Sequence, residues 1–305
     1  MKKTIYITLL GIAGFTSCDK VENPYPVGNV TELDTTLYPG IWSEYVANEW
    51  TVFTPNGNTL RNVLIEDFTG HQCTFCPFAA DTAHKLVEDY PARALAATIH
   101  SGPNGAGGFQ ATSVDFPIDW TNTDGLAIGT YLGNIPGSAF TGNPRGSISR
   151  ILIGGQNTLS TSGWRPALVA ALPATLKVNI QSDANYFPTT RGLFLHTEVD
   201  VLDAGLTNDL YTLVYLIEDS VIAKQKMPDN TINENYVHRD IMHDAINTDW
   251  KGRKLTEADK IDGKYYFNYS YALPAQYNSD NMHLLIYVRD AVTEEVYHVI
   301  KQEIN

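Results

Sequence analysis

The chain has 305 residues, of which 34 are Asp or Glu and 21 are Lys or Arg, giving a formal net charge of −13. So acidic a chain, with no Lys/Arg cluster, excludes nucleic acid and an anionic membrane surface as expected partners. Its length is enough to bury a core without disulfide staples.

The chain opens "MKKTIYITLLGIAGFTSC", with a basic start at Lys2 and Lys3 and an apolar run from Ile5 to Phe15. That run is well short of the roughly 20 residues that cross a bilayer, so it reads as a secretory signal. The small residues ahead of Cys18 resemble a bacterial lipoprotein signal, which implies that Cys18 becomes the acylated first residue of the mature chain. Removing residues 1–17 takes the net charge to −15 and, with Cys18 acylated, leaves Cys73 and Cys76 as the free cysteines. An exported compartment lets disulfides form and persist. Residues 19–38 are polar and proline-bearing and read as a flexible tether.

From 39 to 172 the pattern mixes strands and helices. "VLIEDF" is a strand ending at Thr69-Gly70, "PFAADTAHKLVEDY" has helical spacing stopped by Pro91, and "RALAATIH" returns as a second strand. Strand, helix, strand is the pattern of a parallel pair with a crossover. The Gly-rich loop "SGPNGAGGF" lacks the Lys and Ser/Thr of a phosphate-binding loop. A short helix around "DGLAIGTYL", a strand in "IPGSAFTGNP" and a helix in "GWRPALVAAL" complete this part.

From 173 to 305 the segments "TLKVNIQS", "RGLFLHTEVDVL", "DLYTLVYLIED", "KYYFNYSYAL", "MHLLIYVRDA" and "EEVYHVIKQEI" are β-branched and aromatic, separated by turn residues. They predict an all-β domain of immunoglobulin-like sandwich type. The "HRD" string at His238 has no accompanying phosphate loop or metal motif. His238 and His243 are five apart, off the spacing that aligns two ligands on a helix.

The pair Cys73/Cys76 in "HQCTFCP" admits three readings: a reversible dithiol/disulfide, a structural bridge, or half of a metal site. The loop it closes is too short for a large chain-entropy gain. Zinc needs further ligands from His71, His84 or His100, whose spacing matches no finger. A cysteine just ahead of a helix has its thiolate favoured by unpaired N–H groups and the helix dipole. Cys73 has that place, and Cys76, one turn on, is more shielded and suited to resolving a mixed disulfide formed at Cys73. Pro77 suits a first helical turn.

Strand, C-x-x-C, helix, strand and a later loop with Ile135-Pro136 resemble the thioredoxin-like fold. The resemblance implies a cis-proline at Pro136 beside the disulfide, and a buried acid at Asp67, six residues before Cys73, that relays a proton to the second thiol. Thr74-Phe75 departs from the usual intervening dipeptides. More narrowly, "VLIEDFTGHQCTFCP" with the lipoprotein signal and a β-rich tail bearing "YVHRDIM" resembles the outer membrane protein 28-related lipoproteins of Bacteroidetes. That resemblance implies an α/β thioredoxin-like domain (39–172), a β domain (173–305) and anchorage at the outer membrane by lipid. The expected activity is thiol-disulfide exchange with a protein dithiol or disulfide, without a cofactor or metal. The competing expectation is a surface-binding or adhesin-type lipoprotein with an envelope protein as partner. A sulfur open to solvent favours exchange, and one sealed under the β domain or the Gly-rich loop favours binding.

Overall fold

A computed structural model describes residues 33–246 and 249–304. The expected acylation site Cys18 and most of the tether lie outside the described residues. In chain order the elements are α1 (Trp42–Asn48), β1 (Val63–Phe68), α2 (Cys76–Asp89), β2 (Ala94–Ile99), α3 (Thr123–Asn134), β3 (Arg145–Ile148) and α4 (Trp164–Ala171). Strands follow almost unbroken: β4 (Val178–Phe187), β5 (Gly192–Val201), β6 (Leu210–Glu218), β7 (Val221–Lys226), β8 (Ile232–His238) and β9 (Ile241–Ala245). The last are β10 (Arg253–Lys254), β11 (Lys260–Ile261), β12 (Lys264–Ala272), β13 (Met282–Asp290) and β14 (Val296–Glu303).

One eight-stranded sheet runs β14-β13-β6-β9-β2-β1-β3, with β10 beside β6. β1 and β2 are parallel, as a helical crossover requires, and β3 is antiparallel to β1. The seam between the halves of the chain is β9, which pairs with β2 at Thr98↔Ile241 and antiparallel with β6. The division expected at residue 172 is therefore not a division between sheets. A second sheet, β11-β12-β5-β4, and a separate two-stranded sheet, β7-β8, complete the strands.

Alternation along the strands explains how one sheet is buried on both faces. Leu64 and Phe68 of β1, Leu213, Tyr215 and Ile217 of β6, and Leu285 and Tyr287 of β13 share one core with Ile128 and Leu132 of α3. On the opposite face, Val63 and Ile65 pack against Ala79, Ala83 and Leu86 of α2 and Trp164 and Leu168 of α4. At the other end of that face, Val214, Leu216, Leu284, Ile286 and Val288 meet Val178, Leu193, Leu195 and Phe267 of the second sheet. Two sheets thus face each other as a sandwich, one of them shared with the first half.

A buried polar network ties the halves further. The Arg150 guanidinium donates from Nε and Nη2 to the two Glu66 carboxylate oxygens at 2.8 and 2.6 Å, and from Nη1 to Glu294 at 3.2 Å. Ser147 and Tyr215 also donate to Glu66, and Arg289 donates to Glu294. Burial alone would raise the Glu66 carboxyl, but Arg150 and these hydrogen bonds override it and hold the group below its ordinary range. No periodicity in "SISRILIGG" signals a buried arginine, and the sequence reading missed it.

Close packing fixes one glycine. A Cβ on Gly146 would meet the Trp164 ring and the Glu66 carbonyl oxygen. Gly146→Ala is expected to destabilise the chain by about 1–3 kcal/mol through overpacking, seen as a lowered urea midpoint with an unchanged slope.

Candidate redox site at the end of the first strand

β1 delivers the chain to the loop 69–75, and α2 begins at Cys76 with Pro77 in its first turn. Cys73 stands just before the helix, its N–H bonded to Gly70 O and its carbonyl accepting from Cys76 N. The two cysteines form a disulfide. Cys73 is 1% exposed and Cys76 2% exposed, so both sulfurs are sealed.

Two elements make the seal. The Gly-rich loop lies on one side: Gln72 N donates to Phe109 O at 3.0 Å, Gln110 Nε2 donates to Thr69 O, and Gly70 lacks a side chain because Phe109 backbone occupies that space. The β7-β8 hairpin lies on the other, with Lys226 N donating to His71 O at 2.9 Å and Gln225 Nε2 to Cys73 O at 3.2 Å. The hairpin was not read from the sequence. Its β8, "INENYVH", carries polar residues at most positions and is mainly exposed.

Asp67 is 1% exposed, and neither of its carboxylate oxygens has a hydrogen-bond partner among the described residues. It shares the face of β1 carrying Val63 and Ile65, which turns it toward α2 and the Cys76 end of that helix. Burial pushes its carboxyl up to about 8, so the group is protonated at neutral pH. Tyr236 of β8 is raised by burial and by the charges of Asp81 and Asp67, which places the hairpin within electrostatic reach of this acid.

Pro136 does not have the place expected for it. It lies with Leu126, Tyr131 and Trp250 along a groove on α3, and the cis peptide bond is Asn143-Pro144. The strand expected in "IPGSAFTGNP" is irregular; the strand begins at Arg145, so Pro144 leads it in. Arg145 pairs with Phe68, so Pro144 lies at the end of the sheet from which the cysteine loop departs.

The histidines group differently from any finger. His71, His100 and His238 form a buried row with ring centroids 6.4 and 6.2 Å apart, walled by Phe116 and Trp120. Burial lowers all three, holding them neutral at neutral pH. His71 bonds through Nε2 to Ala111 O. His84 pairs with Glu88 and His243 with Glu218. Among the described residues no group of three His, Cys, Asp or Glu side chains could hold a metal ion, and no helix is long and apolar enough to cross a membrane.

A family profile, outer membrane protein Omp28, matches residues 138–305. Among solved structures, HBP35 of Porphyromonas gingivalis superposes with a TM-score of 0.59 at 16% identity, covering 82% of this chain and 77% of that one. At that identity the likeness is one of fold. A domain of the outer membrane lipoprotein Omp28 from Porphyromonas gingivalis is 23% identical over 42% of this chain and 88% of its own, with a TM-score of 0.30. None of the curated proteins matches the chain.

Proposed function

The chain belongs to the Omp28 family of outer membrane proteins, and from that premise we propose that it is an envelope lipoprotein, acylated at Cys18, whose thioredoxin-like unit oxidises protein dithiols at Cys73/Cys76. The order β2-β1-β3, the crossover helix α2, the isolated antiparallel bridge Gly146↔Leu159 beyond β3 and the closing helix α4 support the thioredoxin-like reading. The sheet facing β6 and β13 supports the sandwich reading of the second half.

The observation that carries the exchange reading is Asp67. A bridge kept for stability has no use for a buried, unpartnered acid that is protonated at neutral pH. A bridge that is to be opened needs a proton for the departing sulfur. A substrate thiolate attacks Cys73 Sγ, the Cys73–Cys76 bond breaks, and the Cys76 thiolate leaves and takes the Asp67 proton. The second substrate thiolate then attacks the substrate sulfur of the mixed disulfide and releases Cys73. The substrate has lost two electrons to form a disulfide and the pair has gained them; the two protons shed by the substrate thiols on ionising return through solvent to the Cys73 thiolate and to Asp67, leaving two thiols and the acid restored. The steps need no cofactor.

The burial of both sulfurs favours a second reading, a structural bridge in a binding or adhesin-type lipoprotein. The reduction potential of the full chain separates the two. A value between roughly −270 and −120 mV is expected for an exchange catalyst, whereas one below about −300 mV marks a structural bridge. A Cys73→Ser chain is expected to lose oxidation of a dithiol peptide, and retained oxidation overturns the reading.

A further inference from the structure

We propose, building on the exchange reading, that the β7-β8 hairpin is a latch over the cysteine loop, with β7 lying where an extended substrate chain pairs. The substrate class that follows is an extended polypeptide recognised through its main chain, admitted when the hairpin swings out.

Four independent observations carry this. The first is the contact itself. Lys226 N donates to His71 O as a strand donates to its neighbour, and the amide of Gln225, a residue only 3% exposed, occupies Cys73 O. Main-chain acceptors beside a reactive sulfur are the groups by which an added strand is held. The second is a bulge. The β7-β8 register slips between Ala223 and Gln225, and a bulge re-aims the side chains that follow it. Here the re-aimed residue is Gln225.

The third is the attachment of the hairpin. It forms a two-stranded sheet of its own, an arrangement marginally stable by itself. Its two roots are Ser220 before β7 and Asp240 after β8, with φ of 61° and 51°. Both lie in the left-handed region that side chains resist, so the chain bends sharply at the places where a hinge turns. The fourth is the thinness of what holds it down. Val221 and Ala223 meet Trp120 and Ile241, the His238 ring lies against Trp120 at 5.3 Å and His100 at 6.2 Å, and Tyr236 and Val237 line a cavity, rather than a packed seam, against α2. Ile222 and Val237, paired across the hairpin, face outward, 64% and 36% exposed. So small an apolar footing permits local opening without global unfolding.

The test uses the full chain and two substitutions. Gln225→Ala removes the side-chain bond to Cys73 O. Lys226→Pro removes the N–H that reaches His71 O; that N–H points away from β8, where a strand tolerates proline. Two rates are read: reduction of Cys73–Cys76 by dithiothreitol, followed by mass-tagging, and oxidation of an unstructured dithiol peptide. Each substitution is expected to speed reduction on the order of fivefold, the effect of one hydrogen bond on the opening equilibrium. Both variants folding as the parent yet being reduced at the parent's rate overturns the latch. Faster reduction with no peptide oxidation by either variant upholds the latch while the exchange reading falls. Peptide oxidation by the parent at the rate of both variants leaves the exchange reading standing and removes the latch.

Discussion

Replacing Arg150 with methionine is expected to lower the stability of the chain by about 3–5 kcal/mol, the effect of breaking a buried ion pair from one side. Glu66 is fully buried and would keep a carboxylate in the core without its guanidinium partner, whereas Glu294 would retain Arg289. The attraction is not itself a large net gain, because desolvating both charges offsets most of it. The double variant Glu66→Leu/Arg150→Met is therefore expected to recover most of the loss. The Glu66 carboxyl is held below its unfolded range, so its contribution is present at neutral pH and is lost as the pH falls through the folded value. Urea unfolding followed by tryptophan fluorescence and by far-ultraviolet circular dichroism checks this. One shared transition, displaced as a whole in the variant, is expected because the network joins β1 to β6 and to the turn after β13. Separate transitions for the two halves, with only one displaced, would contradict it.

That network and the hairpin mark the limits of what the chain discloses before it folds. β1, α2 and β2 were legible because their apolar periods are clean and Pro91 closes the helix at the right place. β6 and β13 were legible as strands because "LYTLVYLIE" and "MHLLIYVRD" are rich in β-branched, aromatic and other apolar residues, and all but Tyr211 of these are buried. Their membership in the sheet of the first half was not, because that depends on β9, five residues that include the polar pair His243-Asp244. β7 and β8 escaped for a related reason: with little buried surface they have little hydrophobic alternation to read. Arg150 and Glu66 are 84 residues apart, and nothing local announces a charge whose partner is supplied by tertiary structure. Asp67 was legible as a candidate through its distance from Cys73, and its isolation is a property of the folded core. For proline the sequence reading settled on Pro136, whereas the cis bond lies at Pro144, next to the residue where the strand begins.

Asp67→Asn is expected to make the protein more stable and less active at once. In the folded chain burial raises the Asp67 carboxyl to about 8, whereas in the unfolded chain it titrates near the ordinary value of about 3.9. The folded state therefore binds the proton more tightly. Its stability is fully present below the unfolded value and is lost progressively as the pH rises toward the folded value. Asparagine cannot ionise, so the variant's advantage is nil near pH 4 and reaches about 2–4 kcal/mol at neutral pH, less whatever the new amide loses for want of a partner. In the exchange mechanism proposed above, the same change removes the proton donor for the departing Cys76 thiolate, and peptide oxidation is expected to slow by about a hundredfold. Urea midpoints of both proteins at pH 4 and pH 8, with oxidation rates at neutral pH, decide the matter. A stability difference that does not grow with pH would mean that Asp67 is not held protonated by the fold. An unchanged oxidation rate would remove it from the chemistry. A gain in stability paired with a loss of rate is the signature of a group kept in an unfavourable place for the reaction it serves.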